Sequence, residues 1–162
     1  MIFLASITLH VIAALFWLGG MIFLAVVGAP VLRRVEPASL RAQVFNDIGV
    51  RFRVAGWIAI GILVVTGLVN LRYHGVLAWE VLRQAGFWRT RFGTALAVKL
   101  AAVAVMLVLQ AVHDFVDGPR AARAEPGSAE AARLRRRAAL LARINALVAL
   151  VLIVAAVRLP RT

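Results

Sequence analysis

The sequence predicts an all-α integral membrane protein: a bundle of four transmembrane helices forming one domain, with both termini on the outer side. Three observations lead there. The 162 residues are 63% hydrophobic with a mean hydropathy of +0.91, whereas soluble domains are nearer half apolar. Several windows hold the roughly 20 mostly apolar residues that a bilayer-spanning helix needs. Basic residues gather in two of the connections between those windows rather than along them. Helices are the only option for open segments in lipid, because an unpaired strand or loop would leave backbone groups without partners.

The first span lies within 2–30 and ends at Pro30, before Arg33 and Arg34. No Lys or Arg precedes it, and it exceeds the 7–15 residues or so of a signal-peptide core, so a cleaved leader is not expected. The second span covers about 54–71, between Arg53 and Arg72. The 73–91 stretch, with Trp79 and Trp88 among Leu and Arg, reads as an interfacial amphipathic segment. The third span covers about 92–112 and is interrupted by Lys99; the fourth covers about 138–157, with Arg143 and Asn145 near its start. Ahead of the fourth, AEPGSAEAARLRRR reads as a soluble turn. No internal repeat stands out.

Charge sets the direction. The 29–53 connection carries Arg33, Arg34, Arg41, Arg51 and Arg53, and the 113–143 connection carries Arg120, Arg123, Arg133, Arg135, Arg136, Arg137 and Arg143. The opposite side carries Arg72, Arg83, Arg89, Arg91, Arg158 and Arg161. The positive-inside rule places the richer connections in the cytoplasm, in the inner (plasma) membrane. The net charge of +12 is then a matter of orientation and anionic lipid headgroups, not of nucleic acid. The absence of cysteine excludes disulfides, thiolate metal sites and covalent haem attachment.

Against this background the polar residues inside the spans stand out. With about 1.5 Å of rise per residue, His10 lies roughly 12 Å below the outer surface and Lys99 roughly 10 Å. Thr66 and Asn70 lie near the outer end of the second span, and His74 just beyond it. Ser6, His10, Trp17 and Met21 share a face of the first helix; Lys99, Met106, Gln110 and His113 share one on the third. Lipid penalises such groups, so these faces should turn inward. Each has a plain structural alternative. His10 could hydrogen-bond a neighbouring helix, Lys99 could snorkel, Trp17 could simply pack, and His113 with Asp114 could be a helix-end pair.

A neutral imidazole in a four-helix bundle suits an axial ligand of haem iron. His10 is the candidate ligand, with His74 as a second metal ligand only if the exit of the second helix folds inward. Trp17, Thr66 and Asn70 would line the cofactor, and Arg72, Arg89 and Arg91 would pair with propionates. Lys99 is the candidate catalytic residue, as a second ligand, a group that positions an anion, or a proton carrier. Copper is the competing metal. Cu(I) prefers soft donors, and Met21 and Met106 look deeper than His10 and unclustered.

The stretches HVIAALFWLGGMIFLAVVGAPVLRR, RFRVAGWIAIGILVVTGLVNL and RFGTALAVKLAAVAVMLVLQAVHDF resemble the helices of the CopD-like copper-resistance membrane domain. His10, Lys99, the His fourteen residues later and the Asn in RINALVALVLIVAAV resemble the related HemJ-type protoporphyrinogen oxidases. The resemblance implies a four-helix protein binding haem b, with His10 and Lys99 as the needed residues and a quinone or porphyrin as partner. The MIFLAVVGAPVLRR segment is closer to the CopD side. The leading expectation is therefore a haem-b redox protein. The alternatives are a CopD-type copper transport or resistance protein and a structural subunit of a larger membrane complex, with a homo-oligomer also open.

Overall fold

A computed structural model of the chain describes residues 1–125 and 127–158, with side chains described through 152. Among the described residues the regular structure is entirely helical. Helix α1 (Ile2–Leu32), α2 (Ala38–Tyr73) and α5 (Arg91–Arg123) are each long and apolar enough to cross a membrane. Two short helices, α3 (Trp79–Leu82) and α4 (Ala85–Arg89), lie between α2 and α5, and α6 (Ala129–Arg158) closes the order. The expected fourth span at 138–157 lies within α6; the side chains of 153–157, and Arg161, fall outside the described residues.

Local chemistry explains the breaks. Pro30 and Pro119 have no N–H to donate, and each ring crowds the carbonyl four residues earlier. In both cases the helix widens into a π-helical turn just ahead, at Leu24–Gly28 and at His113–Asp117, and then continues. Gly75, at φ +70°, follows the end of α2, in the left-handed conformation that glycine adopts without penalty. Thr90 caps α5: its Oγ1 accepts from the Gly93 N–H at 3.0 Å. Ser128 does the same for α6, accepting from the Ala131 N–H at 3.1 Å. Between α3 and α4 the Trp88 indole N–H donates to the Leu82 carbonyl at 2.9 Å.

The helices outrun the apolar windows. Helix α2 has 36 residues, or about 54 Å, against a hydrocarbon thickness of about 30 Å. Its first turns, with Arg41, Asp47 and Arg51, overhang the arginine-rich end. Helix α5 likewise runs past its expected end at 112 to Arg123, and α6 starts at Ala129, inside the stretch expected to be a turn.

Contacts fix an up-down-up-down order. Ser6 meets Thr66 while Gly20 faces Phe52, so α1 and α2 are antiparallel. Gln110 meets Asn145 and Asp117 meets Arg137, so α5 and α6 are antiparallel. Trp57 meets Asp114 and His74 meets Phe92, so α5 runs parallel to α1. The closest packing is within the pairs α1–α2 and α5–α6. A buried core joins all four long helices: Trp17, Leu18 and Met21 from α1, Ala59 and Ile60 from α2, Met106 from α5 and Ala149 from α6. The outward faces, such as Leu15, Val65, Val105 and Leu147, are apolar and exposed. That pattern fits lipid contact, where burial between helices gains little over lipid.

Candidate functional site

Two polar clusters sit at different depths along the bundle. The first lies in the half that carries the N-terminus. His10 Nδ1 is 2.7 Å from Thr66 Oγ1, and Ser6 Oγ donates to the Thr66 carbonyl at 3.3 Å. The Thr66 hydroxyl donates to the Ile62 carbonyl at 2.6 Å, with Leu63 O farther off at 3.3 Å. A hydroxyl has one proton. With that proton on Ile62, the His10–Thr66 bond needs its hydrogen from Nδ1. Proton counting thus assigns the Nδ1–H tautomer and leaves the Nε2 lone pair free. The ring lies beside Gly67, where a Cβ would stand 3.7 Å from His10 Cε1. This is the arrangement of a histidine ligand oriented by a neighbour.

The remaining expected residues divide. Thr66 is buried and in contact with His10. Asn70, one turn on, has its Oδ1 buried without a hydrogen-bond partner. Trp17 is 4% exposed, packs against Gly56 and leaves its indole N–H unpaired. Lys99, expected to turn inward with Met106 and Gln110, stands instead on an exposed face of α5, where its long stem can carry the amine towards the headgroups. Arg72, Arg89 and Arg91 are exposed at the terminal end. His74 does not join His10. Its ring sits among aromatics, 5.9 Å from Phe3 and 6.3 Å from Phe92, and lies eight residues past Thr66, about 12 Å along α2. The exit of α2 does not fold inward to bring the two imidazoles to one ion.

The thioethers take their place in the packing. Met21 and Met106, on separate helices, both belong to one buried core. Separate spans gave no common register, and the packing of α1 and α5 on α2 and α6 supplies it.

The second cluster lies towards the arginine-rich end. Asn145, 1% exposed, donates from Nδ2 to Gln110 Oε1 at 3.0 Å. Gln110 Nε2 donates to Asp114 Oδ2 at 2.7 Å, and the Trp57 indole N–H donates to the same oxygen at 3.0 Å. His113 Nδ1 lies 3.4 Å from Asp114 Oδ1 without hydrogen-bond alignment. Asp117 is fully buried, with Arg137 Nε at 3.2 Å from its Oδ2, again not aligned for a hydrogen bond. Sequence reasoning placed Gln110, His113 and Asp114 on one stripe but missed Trp57 and Asp117. The signals were an indole N–H near the start of a span, which needs a partner when buried, and a second carboxylate three residues after Asp114, on the same side of the helix.

Haem b fits this arrangement poorly. Thr66 takes the Nδ1 edge of His10, so iron could bind this ring only through Nε2. His74, the other candidate ligand, is held elsewhere. Among the described residues no group of three or more His, Cys, Asp and Glu side chains converges as a metal cage. Single soft and imidazole donors at successive depths remain: His10, then Met21 and Met106.

Comparison with known proteins agrees with the copper side of the resemblance. The family model described as copper resistance protein D matches residues 47–159, which takes in most of α2, all of α5 and α6, and leaves α1 ahead of the match. An uncharacterized protein of Aquifex aeolicus is 34% identical over 114 residues, covering 70% of this chain and 68% of that protein. No solved structure matches the chain. This chain is a multi-pass membrane protein and belongs to the copper resistance protein D family.

Proposed function

We propose that the protein conducts copper ions through the bilayer as part of copper uptake or resistance. The observation that carries this reading is that Met21 and Met106 both belong to one buried core. Two thioethers in an apolar surround favour Cu(I), the soft oxidation state, over hard cations. His10 lies on the same helix as Met21, eleven residues earlier, about 16 Å towards the terminal end. Its Nε2 lone pair is free to take an ion and pass it inward. A donor set of one or two ligands at each level suits cargo, which must leave again, better than a resident centre. Lys99 stands near the His10 level, where its amine would attract the counter-anion of an arriving ion.

The same reading takes α6 as the fourth span and places the arginine-rich end in the cytoplasm of the inner membrane, with both termini outside. The haem-b and oxidoreductase expectations are set aside: the family is one of copper resistance, and His74, the second imidazole expected as a ligand, does not join His10.

The test is copper uptake into proteoliposomes with Cu(I) held reduced outside. Wild-type protein should load the vesicles with copper. Met21→Leu combined with Met106→Leu should reduce uptake at least tenfold, or about 1.4 kcal/mol, while His10→Ala raises the copper concentration needed. Uptake no faster than in empty liposomes, or full uptake by the double methionine variant, would overturn the proposal.

A further inference from the structure

The two long hairpins are copies of one plan. Helix α1 begins its regular α-helical part at Ile2 and ends it at Phe23; α5 does so at Arg91 and Val112, each boundary 89 residues later. The π-helical turns Leu24–Gly28 and His113–Asp117 are separated by the same 89 residues, as are Pro30 and Pro119. The sequence keeps the register: Phe3 and Phe92, Ala13 and Ala102, Leu18 and Leu107, Val27 and Val116, Arg34 and Arg123, Glu36 and Glu125, Pro37 and Pro126, Ser39 and Ser128. So does burial. Trp17 and Met106, Met21 and Gln110, Gly56 and Asn145, Ile60 and Ala149 are all buried pairs at this offset. The identities are few and mostly apolar, which is why the sequence alone shows no repeat.

Helix α1 runs parallel to α5 and α2 parallel to α6, so the two copies are parallel repeats of one topology. Membrane proteins built from such parallel repeats carry their cargo at the interface between the copies and expose it by moving one copy against the other. Here the interface has a buried centre and a contact at each end. The centre holds Met21 from one copy and Met106 from the other. At the arginine-rich end the Trp57 indole N–H of the first copy donates to Asp114 of the second, and Trp57 stacks on Phe115 at 5.5 Å. At the terminal end His74 and Phe3 of the first copy meet Phe92 of the second through the aromatic group centred on His74. The hydrogen bonds Ser6–Thr66, His10–Thr66 and Asn145–Gln110 all lie inside a copy and tie the two helices of each hairpin together.

We infer that the chain is an internal duplication whose two hairpins rock against each other, opening the Met21–Met106 core alternately to the two ends, with Trp57–Asp114 as one gate and His74–Phe92 as the other. The identity of the cargo rests on the copper reading; the alternation does not. Loss of one gate shifts the population towards the state open at that end, by the free energy the gate supplied.

The chain has no cysteine, so a single Ala149→Cys in the core reports access directly. The reagent is a membrane-impermeant maleimide added to proteoliposomes of known orientation, from each side in turn. Trp57→Phe keeps an aromatic ring beside Phe115 but removes the N–H and shrinks the side chain; Asp114→Asn keeps the size and the hydrogen-bonding oxygen. Trp57→Phe should speed labelling from the arginine-rich end roughly threefold or more and slow it from the other. Phe92→Ala should do the reverse, and Asp114→Asn should lie between wild type and Trp57→Phe. Rates unchanged by all three variants, or raised from both ends together, would overturn the proposal. Opposite shifts in a protein that carries no copper would sink the copper reading and leave the alternation standing; copper uptake without such shifts would do the opposite.

Discussion

Replacing Thr66 by valine isolates the orientation of His10. The two side chains have nearly the same shape, so the packing of α1 on α2 is preserved while the hydroxyl that holds Nδ1 disappears. The bond is short, 2.7 Å, and Thr66 is 5% exposed. Hydrogen bonds between membrane helices average about 0.6 kcal/mol and reach about 1.7. The short distance and burial put this one at the upper end. A loss of about 1.7 kcal/mol corresponds to a shift of roughly 18-fold in the balance between the Nδ1–H tautomer and its alternatives, and 0.6 kcal/mol to about threefold. Nitrogen-15 NMR of protein labelled at histidine reads this balance directly, since a protonated and an unprotonated ring nitrogen resonate far apart. Wild type should show one histidine held as Nδ1–H; Thr66→Val should mix the tautomers, and Thr66→Ser should restore the pure state. Copper uptake at low concentration should follow the same order. A pure Nδ1–H signal in Thr66→Val would refute the proton counting, and full uptake despite mixed tautomers would detach His10 from the path.

Four further outcomes follow from particular contacts. Gly93→Ala places a methyl group against the backbone of Phe87 and Trp88, which cannot yield cheaply, so detergent thermal unfolding should show a loss of about 3 kcal/mol or failure to fold. Gly20→Ala meets only the outer edge of the Phe52 ring, which can swing, and should cost about 1 kcal/mol in the same measurement. Asn145→Leu removes the donor that steadies Gln110 and should lower stability by about 1 kcal/mol, with Asn145→Asp, which loses that N–H, intermediate or worse. Purified protein from haem-replete cells should lack a Soret band; a band lost in His10→Ala would return the haem expectation.

Hydropathy located α1, α2 and α5 well because apolar runs and lipid contact are the same observation. It misjudged their ends, since helical hydrogen bonding does not stop where hydrocarbon does. The stretch from Ala38 to Arg53 is rich in residues that tolerate a helix, and Arg41 adds an ion pair to Glu36 at 3.1 Å. The His10 cluster was half legible. Spacing put Ser6 and His10 on one face and Thr66 and Asn70 on another, and antiparallel packing at similar depth joined them. The Trp57–Asp114 bond was not legible, because it links residues 57 apart through a crossing that no local pattern encodes. The shared core of Met21 and Met106 was hidden for the same reason.

The duplication gives these scattered residues a common logic. At matched positions the copies have diverged in opposite senses: Ser6 corresponds to Ala95 and Thr66 to Ala155, whereas Met21 corresponds to Gln110, Ala25 to Asp114 and Gly56 to Asn145 across the 89-residue offset. The first hairpin therefore keeps its hydrogen-bonded polar groups near the terminal end, and the second keeps its own near the arginine-rich end. A hairpin bonded along its whole length would hold buried polar groups at every level, each costly unless paired. Splitting them lets each copy be polar where the other is apolar, so that a path lined by donors exists only where the two meet. Restoring symmetry should then damage function more than stability: Gln110→Met, which repeats the residue of the first copy, adds a third thioether but frees Asp114 of one donor. Stability should change by about 1 kcal/mol, while labelling of Ala149→Cys from the arginine-rich end rises. A variant that keeps wild-type access from both ends would show that the polar chain through Gln110 has no part in closing that gate.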